Sequence, residues 1–282
     1  MANELAVLMA AYNSEATIKM AVGSITGNTY PCDIFIVDDG SRVPVSEVLG
    51  NIPKVEIIRL PQNQGLARAL NAGLNHILQR GYKYIARADT DDISYPDRFA
   101  KQVAFLDSHP GVGVVGAWGR HFDETTGNTT LIKPTPTNSD AIRKRLFFNN
   151  SLVHASAVIR ADVFRVVGPY STGYPAAEDY ELFRRISQRY ALANLPKVLL
   201  DICESRRGIS LSKRHRQVYD RLCIQFKYFE PLQWRAWAGV AKTLLLFAVP
   251  VRVVIAIKKI RERFFLYQQV SAISGAPYQR DS

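Results

Sequence analysis

Apolar and polar positions in the first hundred residues fall into alternating blocks. Residues 5–12 (LAVLMAAY) are a near-continuous apolar run, the pattern of a strand buried on both faces. The polar turn Asn13-Ser14-Glu15 opens a helical stretch to about residue 26. Residues 33–37 (DIFIV) predict a second buried strand, ending in Asp38-Asp39-Gly40-Ser41, and residues 55–60 (VEIIRL) a third. Leu66, Leu70, Leu74 and Ile77 share one face of a helix predicted over 66–79 and ended by Gly81. Residues 83–88 (KYIARA) predict a fourth strand, running into Asp89-Thr90-Asp91-Asp92. Strands alternating with helices imply the α/β class, a parallel sheet with helices on its faces.

The second half is less regular. Residues 112–117, 155–160 and 195–202 predict further strands, 123–128 a turn and 178–190 a helix. From about residue 209 the pattern turns helical, basic and aromatic, broken at Pro231 and Pro250. No repeat or low-complexity segment is visible.

Charge sharpens this division. The 282 residues carry 36 Lys+Arg and 25 Asp+Glu, a net charge of +11. Residues 1–203 hold 21 basic and 20 acidic side chains, whereas residues 204–282 hold 15 and 5. An evenly basic surface that coats nucleic acid along the whole chain is thereby excluded. With 47% hydrophobic and 22% charged residues, the composition is that of a core-forming globular chain, not a disordered one. Cys32, Cys203 and Cys223 lack C-x-x-C spacing and support neither a disulfide framework nor a zinc site, so a reducing cytoplasm is expected. The opening Met-Ala-Asn-Glu has no basic segment and reads as the approach to a first strand, not as a signal peptide.

Two acidic clusters, Asp38-Asp39 and Asp89-x-Asp91-Asp92, each follow directly on a predicted strand. In an open α/β sheet the carboxyl ends of parallel strands line the ligand crevice. Carboxylates delivered there repel one another unless a cation or hydrogen-bond donors stand between them. The Asp-x-Asp pair is thus a candidate site for Mg2+ or Mn2+, with a substrate diphosphate completing the shell. Asp38 is then left for a hydrogen bond to another part of a nucleotide. Either cluster alone would serve as a turn former or cap; both together, at two strand ends, favour binding. Glu178-Asp179 opens the segment EDYELFRRI. The helix dipole accounts for acids in a first turn. A general base at the crevice mouth, deprotonating a hydroxyl as it attacks carbon, accounts for them equally.

The blocks LMAAYN, IFIVDDGS, NQGLARALNAGL, RADTDDISYPDRFAKQ and AAEDYELFRR, in this order over residues 5–210, resemble bacterial glycosyltransferases of family 2. DTDDISYPDR and HASAVIR are most similar to the branch that builds exopolysaccharide, capsule or O-antigen, including amylovoran-type transferases. The resemblance implies a GT-A fold, with residues 1–208 as catalytic domain: about 1–110 for the nucleotide sugar and 111–208 for the acceptor. It also implies inverting transfer from a nucleoside-diphosphate sugar, UDP by family preference, to a polyprenyl-diphosphate-linked glycan. By motif, Ala11 and Tyr12 lie beside the base and Asp38 hydrogen-bonds it; Asp39 sits near the ribose, and Asn63 and Gly65 shape that wall. Asp89 and Asp91 match the D-x-D pair, Asp91 touching the divalent cation and Asp89 facing the ribose and metal shell. Asp179 matches the catalytic base, with Glu178 beside it.

Some positions depart from the pattern. Ala10-Ala11 stand where the family often has Pro or Val, and His154 precedes Ala155 in a stretch usually written H-P-S. His154 has a packing role and a ligand role open to it. Arg206 and Arg207 resemble the family's basic loop over the diphosphate, a composition shared with any solvated basic face. Arg87 and Arg98 are expected to pair with nearby carboxylates.

The region 209–282 carries the excess charge. Trp234, Trp237, Ala241, Leu244, Leu245 and Ala248 fall on one helical face, and Arg235 and Lys242 on another. Val253, Ile257, Ile260, Phe264 and Tyr267 make a second seam among basic residues. The apolar stretch 243–251, bounded by Lys242 and Arg252, has nine uncharged residues. A membrane span needs about 20, and central charges would cost about 2.5–3.5 kcal/mol each. Helices lying in an anionic membrane surface through residues 233–267 fit better, and the resemblance implies that this surface is the cytoplasmic face of the inner membrane. Packing on the catalytic domain, or a homo-oligomer seam, is the other use of these faces.

Three rival functions fit less well. A sugar-phosphate nucleotidyltransferase is expected to carry a Gly-rich, Arg-containing loop after the first strand, where Ala10-Ala11-Tyr12-Asn13-Ser14 stands. A dehydrogenase would need G-x-G-x-x-G there. A non-enzymatic nucleic-acid module is disfavoured by the narrow, aromatic, amphipathic tail.

Overall fold

The computed structural model describes residues 3–123, 129–132, 134–204 and 214–249. Strands β1 (Leu5–Ala11), β2 (Cys32–Asp38), β3 (Val55–Arg59) and β4 (Tyr84–Arg87) run parallel. They alternate with helices α1 (Ile18–Thr26), α2 (Val45–Leu49) and α3 (Leu66–Gln79). The same sheet continues through β8 (Val158–Arg160), β6 (Val112–Asp123), β9 (Ala191–Glu204) and β5 (Ile93–Ser94). Its order is β3-β2-β1-β4-β8-β6-β9-β5, with β7 (Thr129–Ile132) paired to β6. Helices α4 (Arg98–Ser108), α5 (Ser139–Leu146), α6 (Ala161–Val167) and α7 (Glu178–Ser187) complete the layers.

The apolar runs explain the layering. Alternate residues of β1 feed two cores: Ala6 and Leu8 join Phe35, Leu70, Leu74 and Ile77 on one face. Val7 and Met9 join Ile18, Val22, Phe99 and Leu106 on the other. The predicted strand over 155–160 is shorter than expected. His154–Ser156 forms a 3-10 turn, because the Ser156 hydroxyl donates to the Val153 carbonyl at 2.8 Å and accepts the Ala117 N–H at 3.0 Å.

Two further helices, α8 (Arg214–Lys227) and α9 (Trp234–Ala248), dock on α5 and α7. Glu181 Oε1 accepts Lys227 Nζ at 2.8 Å and the Tyr228 hydroxyl at 2.7 Å, and buried Asp220 accepts the Ala176 N–H at 3.0 Å. A Cβ on Gly239 would lie 2.1 Å from the Phe147 carbonyl oxygen, so only glycine permits this approach of α9. The buried side of α9 is its small one, Ala236, Val240 and Thr243. The opposite face is exposed: Trp234 64%, Trp237 60%, Leu244 50% and Leu245 63%. Of the uses foreseen for these helices, packing on the domain accounts for one face of α9; its other face is left outward, and residues 250–267 of the second seam lie outside the described residues. Among the described residues no helix is long and apolar enough to cross a membrane.

Candidate active site

The loops after β1, β2 and β3 are tied into one wall. The Asp39 N–H donates to the Ala11 carbonyl at 2.8 Å, and its carboxylate accepts the N–H groups of Gln64 and Gly65 at 2.7 and 2.9 Å. Asn13 donates its N–H to the Ser41 hydroxyl at 3.0 Å and accepts the Arg42 N–H at 2.9 Å. Gly40, at φ +73°, sits where a Cβ would come 2.6 Å from the Gln62 carbonyl carbon. Ala11, Tyr12, Asp39, Asn63 and Gly65 are thus brought together, with Tyr12 exposed and able to meet a planar base. Asp38 requires a correction. It is wholly buried, its oxygens accepting the N–H groups of Ser41 and Val45 and the Arg59 guanidinium at 2.7 Å. Asp38 ties β2 to β3 and is not presented to a base.

The end of β4 delivers the second cluster. The buried Arg87 guanidinium pairs with Asp89 and reaches the Leu8 carbonyl at 3.4 Å. Asp89 and Asp91 are partly exposed, whereas Asp92 is buried and accepts the Cys203 N–H at 3.2 Å. Burial, then the charges of Asp89 and Asp91, push the Asp92 carboxyl well above its usual value. Among the described residues no three His, Cys, Asp or Glu side chains form a ready-made metal cage. Two accessible carboxylates fit a hard cation that keeps waters and takes substrate phosphates. Arg87 meets the expectation of a carboxylate partner. Arg98 does not: fully buried, it donates to Gln102 Oε1 at 3.1 Å and to the carbonyls of Arg87 and Ala155 at 2.8 and 2.7 Å. Its role is to fix the back of the D-x-D turn.

The third element is the start of α7. Asp179 accepts Asn150 Nδ2 at 2.6 Å and the Tyr180 N–H at 2.7 Å. Asn150 Oδ1 is held by the N–H groups of Ser151 and Leu152 at 2.7 and 3.2 Å, which turns its amide nitrogen toward Asp179. Asn150 escaped the sequence reading, for which only the doublet Asn149-Asn150 after an apolar stretch was a signal. His154 Nε2 lies 2.9 Å from the Tyr170 hydroxyl and edge-on to Phe183, a packed position bordering the crevice. Burial, with Arg87 next, holds its imidazole down to about 4, so it is neutral at physiological pH. Arg206 and Arg207 lie outside the described residues.

Glu178 links the two halves of the crevice. It is 7% exposed, and its Oε2 has no hydrogen-bond partner among the described residues. Burial first, then the Asp179 charge, push its carboxyl up to about 8; Arg87 opposes and Asp89 adds to the shift. Arg87 and Asp89 act on His154 as well, so the charges at the end of β4 are felt at the start of α7. A consequence follows for stability. The folded value near 8 exceeds the ordinary 4.5, so the folded state retains a proton that the unfolded chain loses in between. That contribution is complete below about pH 4.5 and lost as pH rises through about 8. Glu178→Gln is expected to flatten this fall, read as melting temperature of metal-free protein at about pH 6 and about pH 9. Identical pH dependence in both proteins would refute it.

The fold is the α/β sheet with flanking helices of GT-A type. The mannosyltransferase PcManGT from Pyrobaculum calidifontis, solved in complex with GDP-Man and Mn2+, shares the fold. It is similar with TM-score 0.64 at 17% identity, over 98% of this chain and 85% of that one. The sequence pattern of Glycosyl transferase family 2 matches residues 6–168, and the chain belongs to that family of glycosyltransferases. It is 35% identical over 230 residues to the amylovoran biosynthesis glycosyltransferase AmsE of Erwinia amylovora, covering 76% of this chain and 83% of that protein. To the UDP-Gal:alpha-D-GlcNAc-diphosphoundecaprenol beta-1,3-galactosyltransferase of Escherichia coli it is 29% identical over 210 residues, 71% of this chain and 74% of that one.

Proposed function

We propose that this glycosyltransferase moves a sugar, with inversion, from a nucleoside-diphosphate sugar, first among them UDP-sugars, to a hydroxyl of a lipid-linked glycan in surface-polysaccharide synthesis. The observation that supports the chemistry is that the charges of Arg87 and Asp89, at the end of β4, are felt by Glu178, which stands beside Asp179 at the start of α7. Ala11, Tyr12, Asp39 and Gly65 hold the nucleoside, and Asp89 and Asp91 face the diphosphate. A divalent cation held by those two would offset charge on the leaving diphosphate. Asp179 takes the acceptor hydroxyl's proton as that oxygen bonds to the anomeric carbon and the carbon–diphosphate bond breaks. Asn150 keeps the base aimed. Asp91 is the direct metal ligand in this scheme, and Asp89 is steadied by Arg87.

The lipid-linked acceptor and the UDP donor are supported by the Escherichia coli relative, whose name specifies both, and the polysaccharide role by AmsE. The cytoplasmic face of the inner membrane is the matching location, with the exposed face of α9 toward it. The test is release of nucleoside diphosphate from a panel of UDP-, GDP- and dTDP-sugars, with Mg2+, Mn2+ or chelator, with and without a lipid-linked acceptor. One donor is expected to turn over with metal and lose turnover with chelator. No release from any donor would sink the proposal.

A further inference from the structure

A basic groove of about 560 Å3 runs beside α9, between it and the helices α5 and α7. Arg143, Lys144, Arg184 and Arg235 line it against two acids, Asp140 and Glu230. Arg184 is already engaged, donating to the Tyr228 carbonyl at 2.8 Å and lying 3.6 Å from Glu230. Arg143 donates to the Tyr190 carbonyl at 3.2 Å, so Lys144 and Arg235 are the side chains left to give the groove its character. Arg235 lies 4.7 Å from the Trp234 ring, and Lys242, seven residues on, falls on the same flank of α9. At 100° per residue this flank separates the buried Ala236–Thr243 side from the exposed stripe of Trp234, Leu244 and Leu245. The groove and the apolar stripe therefore adjoin.

We propose that together they dock the protein on a bilayer, the groove taking anionic phospholipid headgroups and the Trp234–Leu245 stripe entering the acyl boundary. Charge selects this occupant. Residues 250–282, which follow α9, hold 6 Lys+Arg and 2 Asp+Glu, and a second copy would present the same groove, so both are like-charged with it. A polynucleotide matches the charge, and its bases can stack on tryptophan, but it offers nothing to the outward Leu244 and Leu245, whereas an anionic membrane matches all three features. The surface also lies close to the chemistry. Arg184 at the groove is five residues from Asp179 on the same helix, about 8 Å at 1.5 Å per residue. An acceptor anchored in that bilayer would be presented near the base, so this deepens the proposed function and rests on its lipid-linked acceptor.

The test is flotation of the full chain with phosphatidylcholine vesicles, with and without phosphatidylglycerol. Wild type is expected to float with anionic vesicles and weakly with neutral ones. Lys144→Ala/Arg235→Ala is expected to lower anionic-vesicle affinity by about 25-fold, about fivefold for each basic side chain. Trp234→Ala/Leu245→Ala is expected to lose binding and the blue shift of tryptophan emission that vesicles induce. Unchanged melting temperatures and donor hydrolysis in both variants would show that fold and crevice are intact. Both variants floating like wild type would overturn the proposal, as would wild type remaining in solution or a polynucleotide displacing it without vesicle binding. Donor turnover fails or holds independently of flotation, so loss of the glycosyl-transfer proposal is seen separately.

Discussion

Asp179→Asn is expected to keep metal-dependent donor binding and lose transfer by roughly 10²–10⁴-fold, about 3–5 kcal/mol in the barrier. The replacement preserves shape and removes the proton-accepting charge. Its side effects follow from the two hydrogen bonds. A carboxylate accepts both the Asn150 amide and the Tyr180 N–H, whereas an amide has one acceptor oxygen. Asn150 cannot turn over to compensate, because its own oxygen is held by Ser151 and Leu152. One contact is lost, along with a favourable charge at the start of α7, for about 1 kcal/mol of stability. Glu178 supplies an internal control. Asp179 is the second cause of its raised value, so Glu178 ionises more readily once that charge is gone. Any residual transfer that rises with pH and vanishes in Glu178→Gln/Asp179→Asn belongs to Glu178. Single-turnover assays with saturating donor separate chemistry from binding, and full transfer by Asp179→Asn would refute the assignment.

The legible parts of this molecule share a physical cause, and so do the parts that were not. Central parallel strands are buried on both faces, so β1 and β2 appear as unbroken apolar runs, and the ends of β2 and β4 mark the carboxylates. Helix α4 went unpredicted because its inward face includes Arg98 and Gln102, polar in sequence yet wholly buried and hydrogen-bonded to backbone carbonyls. Strand β6 runs on through Gly119-Arg120-His121 because it ladders with β9, some 80 residues later, a pairing no local pattern announces. The same limit applies in the site. The motif marked Asp179, but Asn150 is 29 residues away and is joined to it only by the fold. Asp38 shows the reverse case: a carboxylate in the expected block, diverted to a structural tie by Arg59, which arrives from the next strand. In α9 the apolar stripe was visible in sequence. That the opposite, small-residue face would be the packed one depends on the contact of Gly239 with Phe147, again distant in sequence.

The two members of the D-x-D pair are expected to fail differently. Asp91→Asn should lower metal-stimulated turnover by on the order of 10²–10³-fold, since the stabilisation a cation gives a leaving diphosphate amounts to several kcal/mol. Asp91 is partly exposed at the crevice, so its replacement is expected to leave the melting temperature within a degree or two, roughly 0.5 kcal/mol. Asp89→Asn removes the partner of Arg87, a guanidinium 2% exposed and, among the described residues, bonded otherwise only weakly to the Leu8 carbonyl. A buried cation stripped of its partner is costly even where that partner was half in water. Asp89→Asn is therefore expected to lose stability as well as turnover, and to lose stability in metal-free protein too. Thermal melts with chelator, paired with Mn2+ titrations of nucleoside-diphosphate binding, distinguish the two. Asp91→Asn must weaken the Mn2+-dependent binding while melting like wild type. If it instead retains full Mn2+-dependent turnover, the metal ligand lies elsewhere; if Asp89→Asn melts like wild type, Arg87 does not depend on it.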